Sequence, residues 1–382
     1  MKLTKLFREF FESEKSGGVV LIICTVVSLI LANSSLQTNY LALWHAKIGG
    51  MSVEHWINDA LMAIFFLMIG LELEREVYIG ELSNFKNAAL PVFGALGGMV
   101  IPAALYLLIN FGTATQPGFG IPMATDIAFA VGILSLLGNS VAPSLKVFLT
   151  ALAVIDDLGA IILIAIFYTA SISFTYLMIA LGIFVALLVL NRLKVQSLWV
   201  YLPAGVAMWY CMLHSGVHAT ITGVLLAFAI PFGDGSEKSC SYRLQQFLHK
   251  PVAFLILPLF ALANTGIPVG SDWLSHLSQP NSTGILTGLV IGKMTGILLF
   301  AFLAVRLGLC KLPRGINWRK LTGAGFLGGI GFTMSIFITL LAFDDAELIN
   351  SSKIAVLVSS LISGGIGFVW LKIVLTPQKK LV

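Results

Sequence analysis

Two adjacent carboxylates stand in the middle of a run of apolar residues that is long enough to cross a lipid bilayer. The run covers residues 143–169, and the acids are Asp156 and Asp157. A charged side chain near the bilayer centre costs at least about 2.5–3.5 kcal/mol on insertion scales. The pair must therefore lie inside a helix bundle, contact a water-filled cavity, or be neutralised by a proton or another cation.

The composition places most of the chain in lipid. Of its 382 residues, 58% are hydrophobic and 11% are charged, whereas soluble domains average about 25% charged residues. The net charge of +5 does not indicate nucleic-acid binding, because the basic residues fall almost entirely in loops. The four cysteines lack the spacing of a metal site or a disulfide framework. We therefore expect one integral membrane domain that contacts lipid and needs no cofactor.

Twelve apolar runs approach the roughly 20 residues of a membrane-spanning helix. They predict an all-α membrane protein of twelve transmembrane helices, with both termini on one side. The runs at 121–138 and 198–232 are short or closely joined. The twelve runs are 17–36, 57–79, 88–110, 121–138, 143–169, 172–191, 198–213, 216–232, 251–269, 283–307, 320–342 and 351–375.

The basic residues predict the orientation of these spans. Twenty of the 23 Lys and Arg residues fall on the side of the N-terminus, and only Lys47 and Lys353 fall on the opposite side. By the positive-inside rule both termini are cytoplasmic. The remaining basic residue, Lys293, lies inside the tenth span.

Three segments outside the spans carry local signals. Residues 1–18 are basic and amphipathic and predict a helix on the cytoplasmic membrane surface. The Gly-Gly pair within residues 46–56 favours a β-hairpin, although an irregular loop is an alternative. Residues 233–243 form the one long polar linker.

The charges at membrane depth do not balance. Asp126 in the fourth span joins Asp156 and Asp157, so three acids accompany the single base Lys293. A structural ion pair between two helices would explain one acid and one base. The excess acid requires a proton or another cation, which favours ion transport.

The fourth and eleventh spans are rich in glycine and polar at their centres. The eleventh has five glycines in residues 323–331, and the fourth has glycines on both sides of Thr125 and Asp126. Glycine permits close helix packing, or the helices are broken at mid-membrane and their freed backbone groups face a cavity. In a broken helix, Asp126 would offset the positive N-terminal ends and Lys293 the negative C-terminal ends.

Seven segments together resemble the NhaA family of bacterial Na⁺/H⁺ antiporters, in order and over nearly the whole chain. They are INDALMAIFFLMIGLELERE, ATDIAFAVG, ALAVIDDLGAIILIAIFYT, LHSGVHATITGV, LPLFALANTG, VIGKMTG and GIGFTMSIFI.

The resemblance implies a fold and a place in the cell. It implies a twelve-helix bundle in the bacterial cytoplasmic (inner) membrane, in which two broken helices cross at mid-membrane. Spans 3–5 and 10–12 run in opposite senses, as in an inverted-topology repeat, which is itself a known property of this family. A homodimer is expected, with the hairpin at 46–56 as its contact. The expected division is a core bundle of about 88–170 and 283–375 and an interface bundle of about 17–80 and 172–269.

The resemblance also implies site roles. Asp156 and Asp157 bind the exchanged ion, so the metal expected there is Na⁺ as cargo. Asp126 and Lys293 compensate the helix crossing, with Thr125 close to it. Lys293 pairs with Asp156 when the site is free of Na⁺.

The residues themselves suggest the mechanism. Adjacent helical residues diverge by about 100°, so one acid can face a water-filled funnel while the other faces a neighbouring helix, such as the one that carries Lys293. A buried carboxylate can hold either Na⁺ or H⁺, and exchange follows if only the loaded forms switch sides. Two protons released for one Na⁺ (or Li⁺) make the exchange electrogenic. The second proton comes from Asp156 or from Lys293.

A charged segment at the end of the second span is either a solvated helix end or, by resemblance, a pH sensor. Gln245 and Gln246 stand where the family pattern has an acid and a histidine, which predicts a shifted or shallower pH response. The predicted pH-sensing residues are Glu72, Arg75, Glu76, His218 and His249.

His214 and His218 lie four residues apart and could form part of a Zn²⁺ site. Such a site needs further ligands, and the sequence offers none nearby.

Three other functions compete with antiport. A symporter would need an additional polar pocket for its solute. An intramembrane aspartyl protease would place Asp126 and Asp157 around a water and leave Lys293 unexplained. A cation channel would need a symmetric ring or a re-entrant filter. The sequence shows none of these features.

Overall fold

The computed structural model describes residues 14–169, 172–270 and 273–376, and this part of the chain is mostly helical. Nearly all of the basic segment at residues 1–18 lies outside the described residues. The main helices are Glu14–Ala32, Gln37–His45, Val53–Tyr78, Phe85–Asn110, Gln116–Met123, Ile127–Leu136, Pro143–Phe167, Phe174–Arg192, Leu198–Leu213, Ile221–Ala229, Cys240–Asn264, Trp273–Leu277, Pro280–Arg306, Trp318–Gly328, Phe332–Ala342 and Ala346–Leu375.

The described residues contain eight helices that are long and apolar enough to cross a membrane, or up to ten if each bent pair counts as one span. Every one of the twelve predicted runs holds at least one helix. Two of the runs, however, hold short helices: Leu198–Leu213 has 16 residues and Ile221–Ala229 has nine. A helix of nine residues rises only about 14 Å, less than half of the bilayer core. The twelve-span count therefore stays a prediction.

The chain divides into two compact units. The first comprises the described parts of Met1–Ser34, Asn84–Ala160 and Thr265–Val382, and it contains Asp126, the two adjacent acids and Lys293. The second comprises the described parts of Ser35–Ser83 and Ile161–Asn264. The assignment of these segments to a core and an interface bundle stays a prediction.

The predicted hairpin is present in the second unit. Its two short strands, Lys47–Ile48 and Met51–Ser52, pair antiparallel. The turn between them needs positive φ, and Gly49 and Gly50 adopt φ of 61° and 93° without the steric cost that a Cβ would bring. The alternative of an irregular loop at this position is wrong.

The polar linker is shorter than the sequence suggested. A helix begins at Cys240, and Ser239 caps it by accepting a hydrogen bond from the backbone N–H of Tyr242. Serine directly before a helix is a preferred capping residue, and the last four of residues 233–243 belong to the helix Cys240–Asn264 instead of remaining a loop.

Glycine has both of its predicted uses in the first unit. Close packing joins the helices Phe85–Asn110 and Pro280–Arg306, where a Cβ on Gly97 or Gly296 would meet the carbonyl oxygen of the other glycine. In the eleventh run, by contrast, residues 329–331 are not helical and separate Trp318–Gly328 from Phe332–Ala342.

Candidate functional site

Two interrupted helices lie against each other in the first unit. The first consists of a 3₁₀ helix, Gln116–Met123, and the helix Ile127–Leu136, which are separated by three non-helical residues. The second consists of Trp318–Gly328 and Phe332–Ala342, which are bent by 45°. The backbone N–H of Asp126 in the first interruption donates a 2.6 Å hydrogen bond to Ile330 O in the second.

Asp126 serves the N-terminal ends of two helices at once. Its Oδ1 accepts a hydrogen bond from the backbone N–H of Phe129 (2.9 Å), which caps Ile127–Leu136. Its Oδ2 accepts hydrogen bonds from the backbone N–H of Thr333 (3.1 Å) and from the Thr333 hydroxyl, in the first turn of Phe332–Ala342. Helix N-termini carry partial positive charge, so this buried carboxylate lies where its charge is favourable.

Lys293 is completely buried and forms an ion pair with one of the adjacent acids. Its Nζ lies 2.7 Å from Asp156 Oδ2 and also donates to Met123 O, the last carbonyl of the 3₁₀ helix. A cation at a helix C-terminus is stabilised by the partial negative charge there. The lysine follows directly on a π-helical segment, Gly288–Gly292, a geometry found frequently at functional sites.

Thr125 connects the same acid with the second interrupted helix. Its hydroxyl oxygen lies 2.8 Å from Asp156 Oδ2 and 2.8 Å from Gly328 O. Gly328 ends the helix Trp318–Gly328. Thus Lys293 contacts the C-terminal end of the half-helix Gln116–Met123. The C-terminal end of the half-helix Trp318–Gly328 is contacted by Thr125 and not by Lys293.

Both adjacent acids are enclosed. Asp156 is 1% exposed and Asp157 is fully buried, so neither faces an open water-filled funnel in this structure, contrary to the expectation for one of them. The charge of Asp157 interacts with Lys293 as well. Two adjacent carboxylates therefore share the influence of a single ammonium group.

The predicted pH-sensing residues do not form one cluster. Glu72, Arg75 and Glu76 lie near the C-terminal end of the helix Val53–Tyr78. His218 lies in a non-helical segment, where its Nε2 is 2.8 Å from Tyr168 O and where the Asp59 carboxylate is close enough to act on the imidazole electrostatically. Asp59 and Arg75 are 16 residues apart on one helix, a rise of about 24 Å. The histidine and the Glu72–Glu76 segment therefore belong to opposite ends of that helix.

The Glu72–Glu76 segment has a contact that the sequence did not indicate. The guanidinium carbon of Arg75 lies 4.6 Å from the centre of the Tyr242 ring, a cation–π contact. Gln245, Gln246 and His249 follow on the same helix as Tyr242. His214 caps the end of Leu198–Leu213, so His214 and His218 do not share a helix, and no metal-binding group of three His, Cys, Asp or Glu occurs in the described residues.

Comparison with known proteins decides the family. The family model described as Na⁺/H⁺ antiporter 1 matches residues 8–371. The chain is 66% identical over 379 residues to the Na⁺/H⁺ antiporter NhaA 1 of Flavobacterium johnsoniae, covering 99% of this chain and all of that protein. It is also 66% identical to NhaA of Flavobacterium psychrophilum over 98% of both chains, and 61% identical to NhaA of Cytophaga hutchinsonii over 98% of this chain and 97% of that one. The chain belongs to the Na⁺/H⁺ antiporter 1 family.

As a member of this antiporter family the chain is a multi-pass membrane transporter and not a catalytic enzyme. The family match decides against an intramembrane protease, a channel and a solute symporter. The resemblance stated from the seven sequence segments is confirmed.

The donor set around Lys293 suits the cations of a Na⁺/H⁺ antiporter. Hard cations take oxygen ligands from carboxylates, hydroxyls and carbonyls. Asp156 and Thr125 present such oxygens, Met123 O and Gly328 O lie beside them, and the neighbouring Asp157 is fully buried. Asp156 Oδ1 makes no hydrogen bond to another described residue, so one of its oxygens remains able to ligate an ion.

Two further buried or site-lining residues of this antiporter, Thr333 and Glu74, were not predicted from the sequence. Thr333 contributes two donors to Asp126, and its position after the glycines of the eleventh run was the available signal. Glu74 is 5% exposed, although its charged neighbours favoured a solvated helix end. Its burial has no signal in the local sequence, because it depends on which face of Val53–Tyr78 is covered.

Proposed function

We propose that the protein exports Na⁺ (or Li⁺) across the bacterial cytoplasmic membrane in exchange for protons, by alternating access at Asp156 and Asp157. The observation that carries this proposal is the buried ion pair between Lys293 and Asp156, beside Asp157, where two helix interruptions meet. A merely structural pair would not require a second acid next to it.

Competition between Na⁺ and H⁺ follows from the charges. Asp156 and Asp157 carry up to two negative charges, and Lys293 supplies one positive charge. A proton or a Na⁺ neutralises the remaining negative charge, because an uncompensated charge in a buried site is costly. Since the two cations need the same oxygens, Na⁺ binding releases H⁺, and acid raises the Na⁺ concentration required for half-maximal exchange.

The exchange step involves the ion pair directly. A Na⁺ that binds Asp156 Oδ2 must displace Lys293 Nζ or the Thr125 hydroxyl, because both occupy that oxygen in this structure. The same two groups contact the C-terminal ends of the interrupted helices. Ion binding is therefore coupled to the helix interruptions, whose rearrangement opens the site to one side of the membrane at a time.

Asp126 and Lys293 compensate the partial charges of the interrupted helices in this proposal. The remaining parts are the twelve-helix inverted-repeat architecture with both termini cytoplasmic, a homodimer through the hairpin, and pH regulation through Glu72, Arg75, Glu76, His218 and His249. If a second proton is released as well, from Asp156 or from Lys293, two protons are exchanged for one Na⁺, and transport is electrogenic and driven by the membrane potential.

The test uses everted membrane vesicles that hold an imposed pH difference. Added Na⁺ collapses the pH difference in the wild type and in Asp234→Asn, a control that removes a carboxylate from an exposed loop, but not in Asp157→Asn. Exchange by Asp157→Asn at the wild-type rate would overturn the assignment. In vesicles clamped with K⁺ and valinomycin, an inside-positive potential must change the rate, and a rate independent of potential would refute electrogenic exchange.

A further inference from the structure

Away from the acids, the first unit holds a second group of buried polar side chains, which we call the tyrosine cluster. Tyr106, Asn110 and Ser352 are fully buried, and Asn281 is 2% exposed. Tyr106 Oη lies 2.7 Å from both Thr115 O and Asn281 Oδ1. Asn281 Nδ2 donates to Ser352 Oγ at 2.7 Å. Polar groups at such depth are costly unless they are paired, so their arrangement is a specific feature of the fold.

The tyrosine cluster connects four elements. Tyr106 belongs to Phe85–Asn110, Asn281 to Pro280–Arg306 and Ser352 to Ala346–Leu375, while Thr115 is the residue directly before the 3₁₀ helix Gln116–Met123. Asn110 extends the network by donating to Pro280 O at 3.1 Å and accepting from the Thr115 hydroxyl at 2.7 Å.

The tyrosine cluster leaves no room for a ligand. A Cβ on Gly118 would collide with the Tyr106 hydroxyl, and a Cβ on Gly284 would lie 2.7 Å from the Tyr106 ring. Contacts under 3.0 Å do not occur around real Cβ atoms. The cluster therefore acts through the elements it connects and not by binding a molecule.

Of these elements, the 3₁₀ helix depends most on outside contacts. It has eight residues, whereas 3₁₀ helices longer than three or four residues are uncommon because their hydrogen bonds are poorly aligned. Three groups from other helices support it: Tyr106 at Thr115 O, Ser335 at Ile121 O (2.6 Å), and Lys293 at Met123 O. Its two ends are thus held by the tyrosine cluster and by the ion pair.

We propose that Tyr106 and Asn281 are positioning residues for cation exchange, which fix the 3₁₀ helix so that Met123 O and Thr125 face Lys293 and Asp156. The inference rests on the proposed function of Asp156. At about 2 Å per residue the 3₁₀ helix transmits the position of Thr115 to Met123 over roughly 16 Å, and Thr125 follows two residues later.

The Tyr106 hydroxyl carries one proton for two acceptor oxygens. Either the proton is shared between Thr115 O and Asn281 Oδ1, or the Asn281 amide turns its nitrogen towards Tyr106, which then donates to Thr115 O alone. In both arrangements Thr115 O and Asn281 depend on the same hydroxyl. Removing that hydroxyl takes away one of two links between the start of the 3₁₀ helix and Pro280–Arg306, the helix that carries Lys293, and leaves the link through Asn110.

The test compares Tyr106→Phe with Tyr201→Phe, a matched control. Tyr201 is also fully buried and donates to a carbonyl, Val195 O, at 3.1 Å, but in the second unit. Both variants are purified, reconstituted in proteoliposomes and assayed for the Na⁺ concentration of half-maximal exchange and for thermal unfolding. Each loses one buried hydroxyl, so both are expected to unfold at a similarly reduced temperature.

The positioning role predicts a difference in Na⁺ dependence. Tyr106→Phe raises the Na⁺ concentration for half-maximal exchange about fivefold, the equilibrium effect of one buried hydrogen bond, with a smaller change in maximal rate and a displaced pH profile. Tyr201→Phe leaves both properties as in the wild type. Equal Na⁺ dependence and equal pH profiles in the two variants would overturn the proposal and leave Tyr106 a structural residue.

A double-mutant cycle tests whether Tyr106 and Asn281 act as one unit. Asn281→Leu alone also raises the half-maximal Na⁺ concentration, and Tyr106→Phe combined with Asn281→Leu has no larger effect than the stronger single change. If the fold-changes of the two single variants multiply in the double variant, Tyr106 and Asn281 act independently and the shared role is refuted. Failure of the proposed function gives a different result, because exchange by Asp157→Asn would then persist whatever the Tyr106 variants do.

Discussion

Asp126 Oδ2 accepts a 3.1 Å hydrogen bond from the backbone N–H of Thr333, while its Oδ1 accepts one from Phe129 N–H. A single carboxylate thus uses both oxygens to satisfy the first turns of two half-helices more than 200 residues apart in the chain. The C-terminal halves of the two interrupted helices, Ile127–Leu136 and Phe332–Ala342, are therefore linked at their first turns through one side chain, which holds the two interruptions together.

Replacing Asp126 by Asn should destabilise the protein by about 2 kcal/mol. The amide has one acceptor oxygen where the carboxylate has two, so a buried donor at Phe129 or Thr333 is left without a partner, at a cost of about 1–3 kcal/mol. Thermal unfolding in detergent measures the loss.

Asp345→Asn is the matched control for this change. Asp345 caps Ala346–Leu375 with one oxygen, on the backbone N–H of Leu348, and Asn caps a helix about as well as Asp. Its variant should therefore unfold within about 0.5 kcal/mol of the wild type. Equal losses for the two variants would contradict the double use of Asp126.

Lys293→Ala should lower the free energy of unfolding by about 3–5 kcal/mol, because removing one partner of a buried pair leaves the other charge uncompensated. The deficit should be smaller at pH 5 than at pH 8, since a proton on Asp156 removes the buried negative charge. Lys372→Ala, at an exposed position of Ala346–Leu375, serves as control. A deficit that does not change with pH would argue against Asp156 as the group left behind.

Thr125→Val and Thr125→Ser separate the hydroxyl from the shape of the side chain. Valine removes the hydrogen bonds to Asp156 Oδ2 and Gly328 O, and a bond to a charged group contributes about 1.5–3 kcal/mol. We expect Thr125→Val to lose most Na⁺-dependent exchange and Thr125→Ser to retain it. If the serine variant is as impaired as the valine variant, the methyl group and not the hydroxyl is required.

Gly296→Ala tests the contact between the helices Phe85–Asn110 and Pro280–Arg306. A Cβ there would meet Gly97 O, so the helices must separate, at a cost of about 1–3 kcal/mol for overpacking. Because Lys293 lies one turn earlier on the same helix, exchange should fall as well.

Gly365→Ala provides the comparison for that steric effect. No atom lies within 4 Å of a Cβ at Gly365 in Ala346–Leu375, and alanine favours helix over glycine by about 1 kcal/mol. This variant should be as stable as the wild type or more stable. Destabilisation of both variants by the same amount would show that the loss at Gly296 does not come from the contact with Gly97.

The resemblance to the antiporter family and the membrane class could be read from the sequence, because long apolar runs and charges within them have few physical solutions. The hairpin at Gly49–Gly50 was also predictable, since positive φ at two successive residues is a local property of glycine. The short lengths of the helices on either side of His218, Leu198–Leu213 and Ile221–Ala229, could not be predicted. A break between two helices inside an apolar region leaves the hydropathy of the sequence unchanged.

The sequence by itself determined that Asp156, Asp157, Asp126 and Lys293 are buried charges that need compensation, because no apolar environment tolerates them otherwise. Only the tertiary structure decided the partners. It placed Asp126 on two helix N-termini, Lys293 on Met123 O and Asp156, and Thr125 on Gly328 O. These contacts join residues up to 207 positions apart, and a local pattern carries no information about which distant backbone groups a helix interruption leaves without hydrogen bonds.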